Sequence, residues 1–98
     1  MTRKIVWSPL AKQDYDNILA YLYQNWGSDV AVKFMDNTEG YLQQIISNPK
    51  QFPINRKKEK IRKCVISKQN SLYYTEDNNH IYILRIFDNR QNPKEIKF

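Results

Sequence analysis

The hydrophobic residues in the first half of the chain recur at three- and four-residue spacing, which is typical of helices that bury one face. A first helix is predicted to begin at Ser8-Pro9, because serine accepts hydrogen bonds from free N–H groups and proline at the next position loses none. It is predicted to end at Gly27. Ser28 can cap a second helix, which is predicted to close at Asn48-Pro49. So short a connection predicts an antiparallel helical hairpin.

Short runs of β-forming residues fill the rest of the chain. The first strand is predicted at Arg3–Trp7, and three more at Ile61–Ser67, Leu72–Thr75 and His80–Phe87. Four-residue polar turns join the last three, which indicates an antiparallel meander to which the first strand adds. The predicted fold class is α+β, in the order β-α-α-β-β-β, with the helical hairpin packed on one face of a small antiparallel sheet. At this length, residues 1–98 are expected to form a single domain.

The last strand carries an arginine, Arg85, inside the most hydrophobic run of the chain. A buried arginine is costly without a partner. We therefore expect Arg85 on the sheet face away from the helices, with Arg62 across the sheet, and we expect Asp88 to hold one arginine in place. Strict alternation assigns one face to Ile81, Ile83, Arg85 and Phe87, and the other face to Tyr82, Leu84 and Ile86.

The net charge of +6 is concentrated in the second half of the chain. Residues 1–49 carry four basic and five acidic side chains, whereas residues 50–98 carry twelve basic and five acidic ones. Six of the eight residues from Arg56 to Lys63 are basic, which indicates an anionic partner unless the run is only a solvated loop. The candidate partner- or nucleic-acid-binding residues are Arg56, Lys57, Lys58, Lys60, Arg62, Lys63, Arg85 and Arg90.

Several kinds of chemistry are disfavoured by the residues present. One cysteine, Cys64, and one histidine, His80, are too few for a usual zinc site, and no metal or other cofactor is expected. A lone cysteine suits a reducing cytoplasm, and no apolar run approaches the roughly 20 residues that cross a membrane. Metal-free phosphodiester cleavage would need cations and proton-transfer groups together. The residues available for such a reaction are Arg62, Arg85 and Arg90 as cations, and His80, Glu59, Asp88 or a tyrosine as proton carriers.

Taken together, the whole chain resembles a toxin of the RelE/ParE superfamily, from a bacterial type II toxin–antitoxin or plasmid-stabilisation module. The order of the matching pieces carries the resemblance more than any one of them. It implies the fold derived above, a cytoplasmic toxin and a cognate acidic antitoxin as partner, with no membrane involved. The matching pieces are Trp7–Leu22, Trp26-Gly27, Ala31 with Phe34, Asn48-Pro49, Arg62, Leu72–Tyr74 and the final IYILRIFDNRQNP.

The superfamily has two branches with different targets, and the resemblance alone leaves both open. RelE-like toxins are ribosome-dependent mRNA endoribonucleases that use basic residues on the sheet and often a tyrosine or histidine near the C-terminus. ParE-like toxins inhibit DNA gyrase and lack those residues. Arg62 and Arg85 match sheet cations, and Arg90 matches the arginine that ends the last strand in ParE-like chains. Because no tyrosine or histidine follows Arg90, we favour the ParE-like branch, with a RelE-like endoribonuclease as the alternative.

Overall fold

The computed structural model describes residues 3–98 and confirms the α+β class, with two helices packed on one face of a five-stranded sheet. The strands lie in the order β1-β5-β4-β3-β2. None of the helices among these residues is long and apolar enough to cross a membrane. The elements are β1 (Lys4–Trp7), α1 (Pro9–Trp26), α2 (Ser28–Ser47), β2 (Ile54–Arg56), β3 (Ile61–Val65), β4 (Asn70–Glu76), β5 (His80–Asp88) and a 3-10 turn (Pro93–Glu95).

Two features of the sheet differ from the sequence prediction. The first strand, β1, pairs with β5 in parallel, so the sheet is mixed and not wholly antiparallel. A short strand, β2, forms inside the predicted loop and pairs antiparallel with β3. Local residue preferences predict that a strand exists, but its direction depends on where the helical hairpin returns the chain.

The helix boundaries follow from local chemistry. The backbone N–H of Ala11 donates to Ser8 Oγ at 3.0 Å, which is the predicted cap of α1. Gly27 adopts φ 92°, a conformation that favours glycine, and connects the two helices directly. The predicted cap at Ser28 is wrong, because Gly27 is the residue before α2 and no side chain caps that helix.

The main core lies between the helices and the sheet. Tyr74 is fully buried there, and its hydroxyl donates to the backbone carbonyl of Pro49. Cys64 is also fully buried, and this burial raises the pKa of its thiol to about 12. The buried members of the main core are Ala11, Phe34, Leu42, Ile45, Cys64, Ile66, Leu72, Tyr74, Ile81, Ile83 and Ile86.

A β-bulge in β5 changes the predicted alternation of faces. Tyr73 pairs with Arg85 and Tyr74 pairs with Ile83, so Leu84 is an extra residue on β5. Before the bulge Ile83 points into the main core, and after it Ile86 does so as well. The predicted division of faces is therefore wrong. Ile81, Ile83 and Ile86 face the helices, and Leu84, Arg85 and Phe87 lie on the other side with Tyr73.

The face of the sheet away from the helices, called here the outer face, is partly covered by the C-terminal segment, residues 96–98. Ile96 is only 3% exposed. The ring of Phe98 meets that of Tyr73 edge-on, with 5.5 Å between centroids. The second hydrophobic cluster consists of Ile61, Tyr73 and Ile96, with Leu84 and Phe87 packed against them. The chain therefore covers this part of its own outer face.

Candidate functional site

Arg85 forms the best-defined charged contact on the sheet. Its Nε lies 2.7 Å from Asp14 Oδ2 and its Nη2 lies 3.0 Å from Asp14 Oδ1, a bidentate pair. Both side chains are only about one-sixth exposed, at 15% and 16%. The hydrogen bond to Asp14 raises the pKa of Arg85 above its usual value. The charge of Arg85 is thus largely neutralised by a carboxylate of α1.

Asp14 also accepts a hydrogen bond from the main chain of β5, beyond the point where β1 ends. Its Oδ2 accepts the backbone N–H of Ile86 at 3.1 Å. At the N-terminal cap of α1, the Ser8 hydroxyl donates to the Leu84 carbonyl at 2.8 Å. These two side chains bond main-chain groups of β5 beyond its pairing with β1. No sequence pattern indicates this role for Asp14, because its partners lie more than 70 residues away in the chain.

Two predicted binding arginines hold the C-terminal segment in place. Arg85 Nη1 donates to the carbonyl of Lys97 at 2.7 Å, and Arg56 Nη2 donates to the carbonyl of Ile96 at 3.0 Å. The Arg56 guanidinium also lies 4.8 Å from the centroid of the Phe98 ring, a cation–π contact. Arg56 and Arg85 therefore contact the main chain of their own molecule.

Arg62 lies on the helix side of the sheet and not beside Arg85, so the predicted pairing of these arginines across one face is wrong. Arg62 is opposite Tyr74, which points into the main core. Its Nη1 donates to the carbonyls of Phe52 at 2.7 Å and Lys50 at 3.2 Å, and its Nε lies 3.8 Å from Glu76 Oε1. These contacts fasten the loop before β2 to the sheet.

Arg90 follows β5 and pairs with Asp88, as the sequence predicted for Asp88. Arg90 Nη2 lies 2.6 Å from Asp88 Oδ2, and the Asp88 Oδ1 also accepts the backbone N–H of Arg90 at 2.8 Å. The side-chain hydrogen bond from Arg90 lowers the pKa of Asp88 to about 2. Unlike Arg85, the Arg90 side chain is 79% exposed and remains available to a partner.

The turn between β2 and β3 carries the most exposed group of cations near the sheet. Lys57, Lys58 and Lys60 are all exposed, and we call residues 57–60 the basic turn. Lys60 has φ 56°, in the left-handed region that is uncommon for residues other than glycine. Lys63, another predicted binding residue, is half-buried opposite Tyr73 on the outer face. The basic turn thus presents three ammonium groups and the carboxylate of Glu59 to solvent.

His80 lies at the opposite end of β5 from Asp88. Its Nδ1 is 3.2 Å from Asp77 Oδ1, and the Tyr82 hydroxyl donates to Asp77 Oδ2 at 3.0 Å. Hydrogen bonds, first among them that from the backbone N–H of Asn79, lower the pKa of Asp77 to about 2. Nine strand residues from His80 to Asp88 span roughly 25 Å. The structure therefore keeps the two predicted proton carriers of β5 apart.

No group of three or more metal-ligating side chains occurs in the described part of the chain. The sequence-based candidates instead fall into separate places. Arg85 and Arg56 lie under the C-terminal segment, Arg62 lies under the loop before β2, Arg90 lies after β5, and the lysines lie on the basic turn.

Residues 5–93 match the family described as the ParE toxin of the type II toxin–antitoxin system parDE. Curated protein sequences gave no significant match. Among solved structures, a chain of the chromosomal ParDE TA system from P. aeruginosa superposes with a TM-score of 0.66 at 18% identity, covering 89% of this chain and 96% of that one.

Two further structures show the same fold. The YoeB dimer from S. aureus gives a TM-score of 0.59 at 26% identity, covering 87% of this chain and 94% of that one. The DinJ–YafQ toxin–antitoxin complex of E. coli gives 0.59 at 16% identity, covering 90% and 93%. Toxins with different names share this fold, so the fold alone does not assign a target to this chain.

Proposed function

This chain belongs to the ParE toxin family of type II toxin–antitoxin systems, within the RelE/ParE superfamily, and from that premise we propose that it arrests growth by binding DNA gyrase and cleaves no bond. The proposal rests on the contacts that the arginines of the sheet make within the protein. Arg85 is paired with Asp14, and Arg62 is bound by loop carbonyls. Because these guanidinium groups are bound by other groups of the same protein, they favour a toxin that binds its target through other, exposed residues.

Metal-free cleavage of RNA requires a proton acceptor, a proton donor and cations gathered around one phosphate. Arg62 and Arg85 lie on different faces of the sheet. Of the proton carriers on β5, Asp88 is paired with Arg90 at one end of the strand, whereas His80 lies at the other end. His80 stands next to Asp77, roughly 25 Å along the strand from Asp88. This separation supports binding over catalysis.

The basic turn is the surface that best fits a negatively charged target. Lys57, Lys58 and Lys60 are exposed, and Lys60 keeps its position in spite of an unfavourable backbone conformation. Charged groups at the rim of an interface increase association rates and select partners by complementary potential. We propose that the basic turn contacts gyrase.

The antitoxin is proposed to be acidic and to lie along the helical hairpin and the basic part of the sheet. The hairpin exposes large apolar side chains that the fold does not bury: Tyr23 is 62% exposed and Trp26 is 67% exposed. Exposed aromatic residues of this kind are enriched in protein interfaces. The net charge of +6 adds attraction for an acidic partner.

A gyrase supercoiling assay with purified toxin tests the target. We expect inhibition that increases with toxin concentration, and we expect the combined change Lys57→Ala, Lys58→Ala and Lys60→Ala to weaken it. The matched control is Lys12→Ala, Lys33→Ala and Lys68→Ala, which removes the same charge from exposed positions elsewhere. Complete supercoiling at a high excess of wild-type toxin would contradict the proposal.

A second candidate function is RelE-like cleavage of ribosome-bound mRNA, and the arrangement of His80 favours it. Asp77 fixes the imidazole from its Nδ1 side, and Nε2 has no hydrogen-bond partner among the described residues. Such a carboxylate–histidine pair can transfer protons. This candidate predicts cuts in ribosome-bound message that disappear on His80→Ala and weaken on Arg62→Ala or Arg85→Ala. Intact message in the presence of wild-type toxin would exclude it.

A further inference from the structure

The two layers of the fold carry opposite charge. The helical hairpin, residues 9–47, has two basic and five acidic side chains, a net charge of −3. The remainder of the chain, which supplies the sheet, its turns and the C-terminal segment, has fourteen basic and five acidic side chains, a net charge of +9. Because the helices pack on one face of the sheet, this division along the chain is also a division in space. The protein therefore has a negative side and a strongly positive side.

The acidic side chains of the positive side do little to offset its surface charge. Every lysine of this side except the half-buried Lys63 is exposed. Two of its five acidic side chains, Glu59 and Glu95, are also exposed. The other three contact basic side chains of the same layer, so they are used within the protein. These three contacts are Glu76 with Arg62, Asp77 with His80, and Asp88 with Arg90.

The positive charge is densest around the basic turn. Its three lysines lie at the tip of the two-stranded ribbon formed by β2 and β3. The C-terminal segment adjoins this ribbon, since the Arg56 guanidinium donates to the Ile96 carbonyl at 3.0 Å. The next residue of the segment, Lys97, is exposed, and Lys63 of β3 lies on the same outer face. Cations from the turn, the ribbon and the segment therefore form one continuous basic surface.

The composition of this surface favours contact with phosphates over contact with bases. Proteins that bind single strands stack bases on exposed aromatic rings placed among cations. Beside the basic turn, Tyr73 is only 3% exposed. Phe98 is 38% exposed, and its ring contacts both Tyr73 and the Arg56 guanidinium. Lysine ammonium groups bind phosphates as point charges, and duplex DNA presents one negative charge per roughly 1.7 Å of its axis.

We propose that the basic turn and the adjoining outer face bind the phosphates of duplex DNA without reading its sequence. This inference goes beyond the proposed contact with gyrase, because it gives the toxin a second partner, the DNA on which gyrase acts. The basic turn belongs to both surfaces and reaches both partners where they meet. Phosphate contacts of this kind let a protein move along DNA, which increases its encounters with an enzyme bound there. The negative helical hairpin faces away from the DNA.

DNA binding is measured without gyrase, by fluorescence anisotropy of a short labelled duplex of mixed sequence between about 50 and 200 mM salt. We expect wild-type toxin to bind with a Kd of about 10⁻⁴–10⁻⁶ M at physiological salt, and more tightly at low salt. Lys57→Ala with Lys58→Ala is expected to weaken binding about tenfold and to make the slope of log K against log salt shallower by about two. The matched control, Lys12→Ala with Lys33→Ala, removes the same charge from exposed positions of the hairpin and is expected to change affinity less than about twofold. Equal losses from both pairs would overturn the inference, since net charge alone would then account for binding.

A change in the opposite direction provides an independent test. Glu59→Gln removes the one carboxylate of the basic turn and is expected to tighten binding to the duplex about threefold. Asp36→Asn makes the equivalent change at an exposed position of α2 and is expected to leave affinity unchanged. Equal tightening by both changes would overturn the inference. Equal or tighter binding of a single strand of the same length would also overturn it.

The supercoiling assay separates this inference from the proposed target. It is run at toxin concentrations below the Kd for the duplex, so that inhibition reports contact with gyrase and not coverage of the DNA. Inhibition of gyrase by a toxin that binds no duplex, even at low salt, would overturn this inference alone and assign the basic turn to a protein surface. Duplex binding that depends on Lys57 and Lys58, without inhibition of gyrase, would support this inference and overturn the proposed target.

Discussion

The two faces of the sheet are closed by different physical means. The helix side buries eleven residues in one continuous core under α1 and α2. On the outer face, the hydrophobic cluster of the described residues has three buried members, under a C-terminal segment whose carbonyls are bound by Arg56 and Arg85. One face is held by extensive apolar packing and the other by a few apolar contacts with charged hydrogen bonds. The difference shows that cations in a basic protein can serve its own fold, so net charge overestimates the surface available to a partner.

The largest expected effect compares one buried isoleucine on each face. Ile83 is fully buried in the main core, and Ile96 is 3% exposed on the outer face. We expect Ile83→Ala to lower the free energy of unfolding by about 4 kcal/mol, and Ile96→Ala by about 2 kcal/mol. The cost at Ile96 is limited because the segment can detach and leave the main core folded. Urea denaturation measures both, and equal losses would show that the two faces are equally coupled to folding.

The next effect concerns the ion pair between Arg85 and Asp14. Because this pair is bidentate and mostly buried, Arg85→Ala is expected to cost about 2–3 kcal/mol. Asp14→Asn should cost a similar amount, and the two changes together less than their sum. Chemical denaturation of the four chains of this double-mutant cycle gives the coupling. Additive losses would mean that the contact between Arg85 and Asp14 itself contributes little to stability.

A smaller effect arises from Cys64 in the main core. Burial raises the pKa of its thiol from 9.0 to about 12, so the folded state keeps the thiol protonated where the unfolded state ionises. This contribution to stability is complete below about pH 9 and is lost as the pH rises toward 12, by at most about 1.4 kcal/mol per pH unit. Denaturation at pH 8, 9 and 10 should show the decline, and Cys64→Ala should show a shallower one. Parallel curves for the two proteins would contradict the assigned pKa.

The smallest effect is expected at the exposed ion pair after β5. Arg90→Ala removes a side chain that is 79% exposed and should change stability by less than about 0.5 kcal/mol. The same denaturation measurement, compared with Arg85→Ala, separates a structural arginine from one that is free to bind. A loss at Arg90 as large as that at Arg85 would remove the distinction between them.

Sequence patterns predicted the elements that depend on neighbouring residues. The cap at Ser8, the break at Gly27 and the hairpin all follow from contacts within a few positions. The parallel direction of β1, the bulge at Leu84 and the folding back of Ile96 depend on distant parts of the chain.

The candidate site was predicted less well than the fold, for the same reason. Composition identifies the arginines, but the partner of Arg85 is a carboxylate 71 residues earlier. The partner of Asp88 is two residues away, and the sequence predicted that Asp88 holds an arginine. Sequence separation, more than residue type, therefore determined which contacts of the site could be foreseen.

We propose that this toxin acts by binding through exposed cations and not by cleaving RNA with the arginines of its sheet. The most direct measurement is induced expression with simultaneous readout of plasmid topology and mRNA integrity in the same cells. The account predicts relaxed plasmid together with intact ribosome-bound message. Fragmented message with normally supercoiled plasmid would contradict it.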